Sequence, residues 1–336
     1  MKYERIVGYV ASSLWAIDSA KLGEIVSVLA HRASGKTLTA AEIRAKLGET
    51  PEHPLEARVG GGSGGGAVAV VPIHGTIAHR MSGMRDSSGG ASTESIGATF
   101  RAALADASVG TILLDIDSPG GTVTGVDELA SEIFAARGQK RIVALVNGMA
   151  ASAAYWLAAQ ADEIVSIPSG MSGSIGVFTA HEDMSQMLEK EGVKITLISA
   201  GKHKVSGNPL EPLSDEERAV IQARVDAAYS KFVAAVARGR GVSASDVRNG
   251  YGEGRVLDAK DAKAAGLIDR IATVGATVDR LAGRSGAELR ATSEYIEYEG
   301  PIAATGTIEA VAPVTPKSEP GPVATDEDER TWWVLL

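Results

Sequence analysis

Hydrophobic and polar residues follow two different periods along the central part of the chain. The short apolar runs "AVAVVPIHGTI", "VGTILLDID" and "RIVALVNG" have the length and composition of buried strands. Between them, "ESIGATFRAALAD" and "GVDELASEIFAARG" repeat apolar residues at spacings of three and four, which is typical of amphipathic helices. This β-α-β-α-β order predicts an α/β fold with a mostly parallel sheet flanked by helices.

The same pattern continues towards the C-terminus. "DEIVSIP" and "KITLIS" are predicted to extend the fold as further strands. The stretch "SDEERAVIQARVDAAYSKFVAAVARGR" is predicted to be a long helix. It opens with Ser214 and has Glu217 three residues later, which is the signature of a capping box.

Shifts in composition divide the chain into four parts. Residues 1–57 are predicted to be a helical N-terminal segment, since "SAKLGEIVSVLAHRA" and "TLTAAEIRAKLG" have helical spacing. Residues 58–66, which include "GGGSGGG", are predicted to be a glycine-rich linker. Residues 67–290 form the main domain, and residues 291–336 are predicted to be a disordered tail rich in proline and acidic residues.

Composition excludes several classes of protein. The net charge of −9 argues against a surface that binds nucleic acid. The absence of cysteine excludes disulfides, thiolate metal sites and a cysteine nucleophile. No apolar run reaches the length of a membrane span, and the charged N-terminus does not resemble a signal peptide. We therefore expect a cytoplasmic protein without a membrane anchor.

One serine stands out in the alanine-rich stretch "VNGMAASAAYWLAAQADEIV". Ser152 follows a predicted strand, after which Gly148 is expected to form the turn, and it precedes a predicted helix. A hydroxyl at a helix N-terminus lies beside free backbone N–H groups, so it has the parts that acyl transfer requires. The alternative is a buried helix in which serine is merely another small residue.

The stretch "DIDSPGGTV" carries a second candidate feature. Pro119, Gly120 and Gly121 are expected to make a sharp turn after a strand, before a helix that begins near Val126. Adjacent glycines let a ligand approach the peptide N–H groups, which can then stabilise an oxyanion or bind a phosphate. The alternative is a plain tight turn, and the fingerprints of nucleotide-binding loops are absent.

A serine nucleophile needs a base, and the sequence offers histidine and lysine. The loop "SAGKHKVSGNP" holds His203 between Lys202 and Lys204. A lysine acts as a base when burial or a neighbouring charge lowers its pKa. Spacing alone does not choose between His203 and Lys204. The histidines of the chain are His31, His53, His74, His79, His181 and His203.

Five motifs in order, "DSPGG", "GMAAS", "SGSIGV", "GKHKVSGNP" and "GEGRVLDAKDAKAAGLID", resemble the signal peptide peptidase A (protease IV) family of Ser–Lys peptidases. The resemblance covers roughly residues 67–272. It implies a β/α spiral fold like that of the Clp proteolytic subunit and crotonase, with no metal or cofactor. It also implies a serine nucleophile and a lysine general base.

Position by position, the resemblance assigns Ser152 as the nucleophile and Lys204 as the base. Ser174 in "SGSIGV" matches the hydroxyl that orients this lysine. The implied oxyanion hole consists of Gly120, Gly121 and the amide of Ala153. The family commonly has two glycines after the nucleophile where this chain has alanines, and this departure bears on substrate preference.

The arrangement of segments resembles the phage and prophage branch of the family. That branch implies a procapsid maturation protease that cleaves scaffold, capsid or portal proteins and itself, acting in the host cytoplasm or procapsid interior as a homo-oligomer. The alternatives are a cytoplasmic peptide-degrading member of the family and a catalytically silent assembly protein. A crotonase-type hydratase or thioesterase is disfavoured because those enzymes mostly use carboxylates.

Overall fold

The computed structural model describes residues 13–18, 21, 58–59, 66–80 and 90–283. The predicted tail at 291–336 lies outside these residues. So do most of the N-terminal segment, with His31 and His53, and positions 60–65 of the predicted linker.

The described chain alternates strands and helices through its central part. The strands are β1 (Trp15–Ile17), β2 (Arg58–Val59), β3 (Ala67–His74), β4 (Ile77–Ala78), β5 (Ala91–Ser92), β6 (Val109–Ser118), β7 (Gly120–Thr122), β8 (Arg141–Ala151), β9 (Glu163–Ser166), β10 (Met171–Gly173), β11 (Val256–Asp258) and β12 (Arg270–Ile271). The helices are α1 (Thr93–Ala105), α2 (Val126–Ala135), α3 (Ala153–Ala158), α4 (Ser185–Lys190), α5 (Asp215–Arg240), α6 (Ala244–Gly250), α7 (Ala259–Ala264) and α8 (Val274–Leu281).

The main sheet confirms the predicted α/β fold. Its strands run in the order β11-β10-β8-β6-β3-β2, and β3, β6 and β8 are parallel neighbours. The crossovers between these three strands are α1 and α2. β8 is paired with β9 along its first half and with β10 along its last three residues. The long strand β8 therefore carries the chain from the sheet centre to the end at which Ser152 lies.

Both faces of the main sheet are buried, which explains why its strands are nearly continuous apolar runs. Along β6, Ile112 and Leu114 belong to the larger core cluster, whereas Leu113 belongs to a second one. Successive side chains of a strand point to opposite faces, so the two clusters cover the two sides of the sheet. On the second side, Val278 and Leu281 of α8 pack against the strands.

A second, four-stranded sheet has the order β1-β7-β4-β5. Two sequence-based expectations were wrong here. Trp15–Ile17 forms a strand rather than part of a helix, since its backbone pairs with β7. Gly120–Thr122 forms β7 instead of belonging wholly to a turn.

Three local predictions also need correction. Gly148 does not form the turn after the strand, because β8 continues through it to Ala151. The stretch "KITLIS" is not a strand; its residues are largely exposed, and no strand among the described residues pairs with it. Arg58–Val59, the start of the predicted linker, pairs with β3 as β2.

The long helix α5 begins and packs as its sequence indicates. Ser214 and Glu217 form the predicted capping box. The C-terminal half of α5 is buried, and there the Phe232 ring stacks on Trp156 of α3 at 4.5 Å between centroids. In the described part of the chain, no helix is long and apolar enough to cross a bilayer.

Candidate active site

Ser152 occupies the junction between β8 and α3 in a backbone conformation that L-residues rarely adopt. Its φ is 57° and its ψ is −119°. The Ser152 amide donates to the carbonyl of Gly173 in β10 at 2.8 Å, and the Ser152 carbonyl accepts from the amide of Trp156 at 2.9 Å. A non-glycine residue with positive φ persists only where its surroundings impose it, and such residues cluster at functional sites.

The Ser152 side chain is buried without a partner. The residue is 1% exposed, and its Oγ forms no hydrogen bond within the described chain. Most buried hydroxyls in folded proteins are satisfied, so an unpaired one calls for an explanation. The other described buried side-chain atoms in this condition are Thr122 Oγ1, Trp156 Nε1 and Ser172 Oγ. Of these four, only Ser152 combines an unpaired hydroxyl with a strained backbone at a strand-to-helix junction.

Gly120 lies directly against the nucleophile candidate. Its φ is +96°, and a Cβ atom built on it would lie 2.9 Å from Ser152 Cβ and 2.3 Å from the carbonyl oxygen of Ala16. A Cβ on Gly121 would lie 1.8 Å from the carbonyl oxygen of Ile77. Because neither position has room for a side chain, the two glycines allow the backbone of β7 to approach Ser152.

Ser118 is a residue of this site that sequence reasoning missed. It is buried, its Oγ accepts a 3.2 Å hydrogen bond from the Gly120 amide, and it donates to the carbonyl of Gly75 at 2.6 Å. The signal that could have found it is its place immediately before the Pro-Gly-Gly sequence. Ser118 thus fixes the start of β7 and occupies the Gly120 amide, one of the predicted oxyanion donors.

Ser174 and Ala153 each directly follow one partner of the hydrogen bond between Gly173 and Ser152. Ser174 directly follows Gly173, has a φ of 53°, and donates from its amide to the carbonyl of Arg255 at 2.7 Å. Ala153 is the first residue of α3 and is fully buried. An amide at that position has no acceptor within its own helix, as an oxyanion donor requires.

Lys204 lies apart from this cluster. It is exposed in a turn within the segment 179–213, here called the arm, and its amide donates to the carbonyl of Gly201 at 3.1 Å. Lys202 is engaged elsewhere, since its Nζ lies 2.7 Å from Glu216 Oε1. The structure thus brings Ser152, Gly120 and Ser174 together but leaves Lys204 outside hydrogen-bond reach of Ser152 Oγ.

Three of the four described histidines have other hydrogen-bond partners, and the fourth, His203, is exposed in the arm beside Lys204. His74 Nε2 lies 3.1 Å from Asp115 Oδ2, and Asn147 donates to the second oxygen of this carboxylate. His79 Nδ1 lies 3.1 Å from the hydroxyl of Thr93, and His181 Nε2 lies 3.2 Å from a main-chain carbonyl. None of the described histidines hydrogen-bonds to Ser152.

Buried polar groups fix α3 beneath the site. Burial raises the pKa of Tyr155, whose hydroxyl donates to the carbonyl of Leu267 at 2.8 Å. Nearby, burial tends to lower the pKa of Arg240, but its hydrogen bonds to Asp269 and the attraction of the neighbouring acidic groups together raise the pKa. These groups are neutral or paired, so they position the helix and take no part in proton transfer.

Residues 135–288 match peptidase family S49. The head-tail preconnector protein GP5 of Enterobacteria phage P21 is 40% identical over 61% of this chain and 40% of its own length. The capsid assembly protease C of Escherichia phage lambda is 37% identical over 73% of this chain and 56% of its own.

A cellular relative is also similar. The putative signal peptide peptidase SppA of Enterococcus faecium is 34% identical over 49% of this chain and 48% of its own length. The chain therefore spans about half the length of these curated relatives. A solved ClpP1 mutant from Listeria monocytogenes aligns with 62% of this chain at 14% identity and a TM-score of 0.39, and the fold assignment above rests on the strands and helices themselves.

The matched region contains Ser152, Ser174 and Lys204, the residues that the ordered motifs single out. The ordered motifs, the α/β fold and the phage and cellular relatives all point to the same peptidase family. Residues 135–288 thus resemble peptidase family S49 both in sequence and in the order of their motifs.

Proposed function

We propose that this protein is a serine endopeptidase in which Ser152 is the nucleophile and Lys204 the general base. The observation that carries the proposal is the buried, unpaired Ser152 hydroxyl on a strained junction beside Gly120. Such strain is a cost of about 1–3 kcal/mol that folding alone does not explain. The match of residues 135–288 to a peptidase family supports the assignment.

The reaction follows from the residues around Ser152. Neutral Lys204 accepts the hydroxyl proton while Ser152 Oγ bonds to the carbonyl carbon of the scissile peptide. The amide of Ala153 stabilises the oxyanion, and the Gly120 amide joins it by leaving Ser118 Oγ. Collapse of this intermediate breaks the C–N bond as Lys204 returns the proton to the leaving amine, and water then hydrolyses the acyl-enzyme.

Lys204 has to move closer to Ser152, since a general base works at roughly 2.6–3.2 Å. The arm that carries it has few buried residues and exposes large apolar side chains, which continue onto the start of α5. They are Met187, Val193, Ile195, Ile198 and Val220. An exposed apolar surface of this kind marks an interaction site.

We therefore propose that Lys204 comes within reach of Ser152 Oγ in a homo-oligomer, in which a second copy packs on the arm. Covering the arm would also bury the lysine. Burial lowers the pKa of a lysine and makes its neutral form available as a base. We propose that the Ser174 hydroxyl orients the Lys204 amine when that amine lies beside Ser152.

The biological role that fits best is maturation of a viral procapsid. The two phage relatives are named for head-tail preconnection and capsid assembly. We propose that the substrates are capsid, scaffold or portal proteins and the chain itself, cleaved in the host cytoplasm or procapsid interior.

The test is cleavage of fluorescently labelled unfolded casein, together with intact-mass spectrometry of the chain itself. Ser152→Ala and Lys204→Ala should lower the cleavage rate by about 10³-fold or more. The matched control is Lys202→Ala, which removes a lysine two residues away that pairs with Glu216, and it should retain activity. Equal rates for the wild type and Ser152→Ala would rule out this nucleophile.

A further inference from the structure

The strand β1 occupies a slot beside Ser152 between two main-chain edges. On one edge, β1 is antiparallel to β7, with Ala16 opposite Gly121 and Ile17 opposite Gly120. The Asp18 amide donates to the Pro119 carbonyl at 2.7 Å at one end of this pairing. The contacts run over the full length of the strand.

The opposite edge of β1 is also paired. The Trp15 amide donates to the Phe178 carbonyl at 2.8 Å, and the Phe178 amide donates to the Trp15 carbonyl at 2.9 Å. The hydroxyl of Thr179 adds a 2.9 Å hydrogen bond to the Ser13 carbonyl. Residues 13–18 are thus inserted as an extended chain, which is the way in which a protein binds a peptide by strand addition.

The slot that holds β1 runs beside the nucleophile candidate Ser152. The position of a Cβ on Gly120 is 2.3 Å from the Ala16 carbonyl oxygen and 2.9 Å from Ser152 Cβ, so the inserted strand and the serine flank one glycine. Trp15, Ala16 and Ile17 are each at most 5% exposed. A protein substrate therefore cannot reach Ser152 along β7 while residues 13–18 are in place.

The side chains of the occupant show what the slot accepts. Ala16 is fully buried in the larger core cluster, whereas its neighbours Trp15 and Ile17 are buried outside this cluster. Alternation along a strand explains the division. The slot takes an extended peptide with a small residue on the inner face and large apolar residues on either side.

We propose that residues 13–18 are an intramolecular pseudosubstrate, which fills the peptide-binding slot between β7 and Phe178 and must leave before a protein substrate is bound. That the slot's other occupant is a protein substrate rests on the proposed function. When β1 leaves, β7 keeps its pairing with β4 on its far edge. Departure of β1 therefore leaves β7, β4 and β5 paired with one another.

A reversible lock on β1 tests this proposal. In an antiparallel ladder, hydrogen-bonded pairs alternate with non-hydrogen-bonded pairs. In the pairing of β1 with β7, Asp18–Pro119 and Leu14–Val123 are joined by hydrogen bonds, so Trp15 and Thr122 form a non-hydrogen-bonded pair. Such pairs have Cα atoms about 4.5 Å apart, within the range that a disulfide spans. The chain has no cysteine, so Trp15→Cys with Thr122→Cys creates one defined pair. Thr122 Oγ1 has no partner in the described chain, so its replacement leaves no broken hydrogen bond.

The first measurement is binding, made in the Ser152→Ala background so that it does not depend on catalysis. The probe is a fluorescein-labelled peptide with the sequence of residues 12–20, "SLWAIDSA" preceded by serine. We expect the reduced double-cysteine protein to bind it at least about tenfold more tightly than the oxidised one, because the lock removes the open state. A peptide carrying Ala16→Trp should bind at least about tenfold more weakly than the parent peptide, since it overfills the inner face.

Equal binding in the two redox states, or no binding in either, would overturn the proposal. Each single-cysteine variant should be indifferent to oxidation. Casein cleavage by the double variant with Ser152 intact is the second measurement, and reduction should restore it within the same sample. Redox-dependent binding without cleavage in any variant or in the wild type would refute the peptidase assignment and leave the pseudosubstrate standing.

Discussion

The main-chain amide of Ser152 donates a 2.8 Å hydrogen bond to the carbonyl oxygen of Gly173. This contact joins the strained end of β8 to the end of β10, although the two residues are far apart in sequence. Gly173 has a φ of +126°, so two unusual backbone positions meet at the candidate nucleophile. The conformation of Ser152 is thus imposed by its neighbours in space.

Gly173→Ala should reduce both stability and casein cleavage. A Cβ at this position would lie 2.7 Å from the Arg255 carbonyl oxygen, and the positive φ adds a cost of about 1–3 kcal/mol. Urea unfolding and cleavage rate measure the two effects. The control is Gly138→Ala, which also has positive φ but has no atom within 4 Å of the new methyl group. Equal losses in the two variants would mean that strain alone, and not the contact with the Arg255 carbonyl, explains the result.

Gly120→Ala should damage both stability, through a clash with the Ala16 carbonyl at 2.3 Å, and catalysis in the protein that remains folded. The new methyl group would lie 2.9 Å from Ser152 Cβ, and this clash would displace the Ser152 side chain away from β7. A displacement of about 1 Å can cost on the order of 10²-fold in rate. The measurement is the cleavage rate at matched folded fraction, determined by circular dichroism. Gly138→Ala, at an open positive-φ position outside the site and the arm, should cleave like the wild type at matched folded fraction.

Phe232→Ala should lower the free energy of unfolding by about 3–5 kcal/mol, the range for removing a buried aromatic ring. Phe232 is fully buried and stacks on Trp156 with an angle of 7° between the ring planes. Because Trp156 lies in α3, the helix that follows Ser152, the residual folded protein should also cleave more slowly. Chemical denaturation gives the first effect. A loss below about 1 kcal/mol would show that α5 does not hold α3 in place.

Asp269→Asn should destabilise the protein at neutral pH, and the difference should shrink in acid. Burial raises the pKa of this carboxyl, but hydrogen bonds from Arg240 and the Ile164 amide, together with the positive charges of Arg240 and Arg137, lower the pKa overall. A depressed folded-state pKa adds stability above the unfolded value of about 3.9. That stability is lost as the pH falls through the folded value. Thermal unfolding of both proteins from pH 7 to pH 3 measures this convergence, and a constant difference would contradict it.

Much of the fold could be predicted because its determinants are local. The apolar runs of β3, β6 and β8 and the spacing of α1 and α2 each report burial of a nearby surface, and the capping box at Ser214 is a contact within one turn. The family resemblance was equally accessible, since motif order is a property of the chain itself. Failures occurred where a segment depends on a distant partner, as with "KITLIS" and Trp15–Ile17.

The sequence by itself determined that Ser152 lies between a strand and a helix, and that glycines lie at 120 and 121. Only the tertiary structure decided that Gly120 touches Ser152, that Gly173 holds its amide, and that β1 fills the slot beside it. The physical reason is that strand pairing and backbone strain depend on atoms brought together by the whole fold. No local pattern of residues encodes which strand edge a distant segment will cover. The assignment of Lys204 as base stays a prediction from sequence, to be tested in the assembled protein.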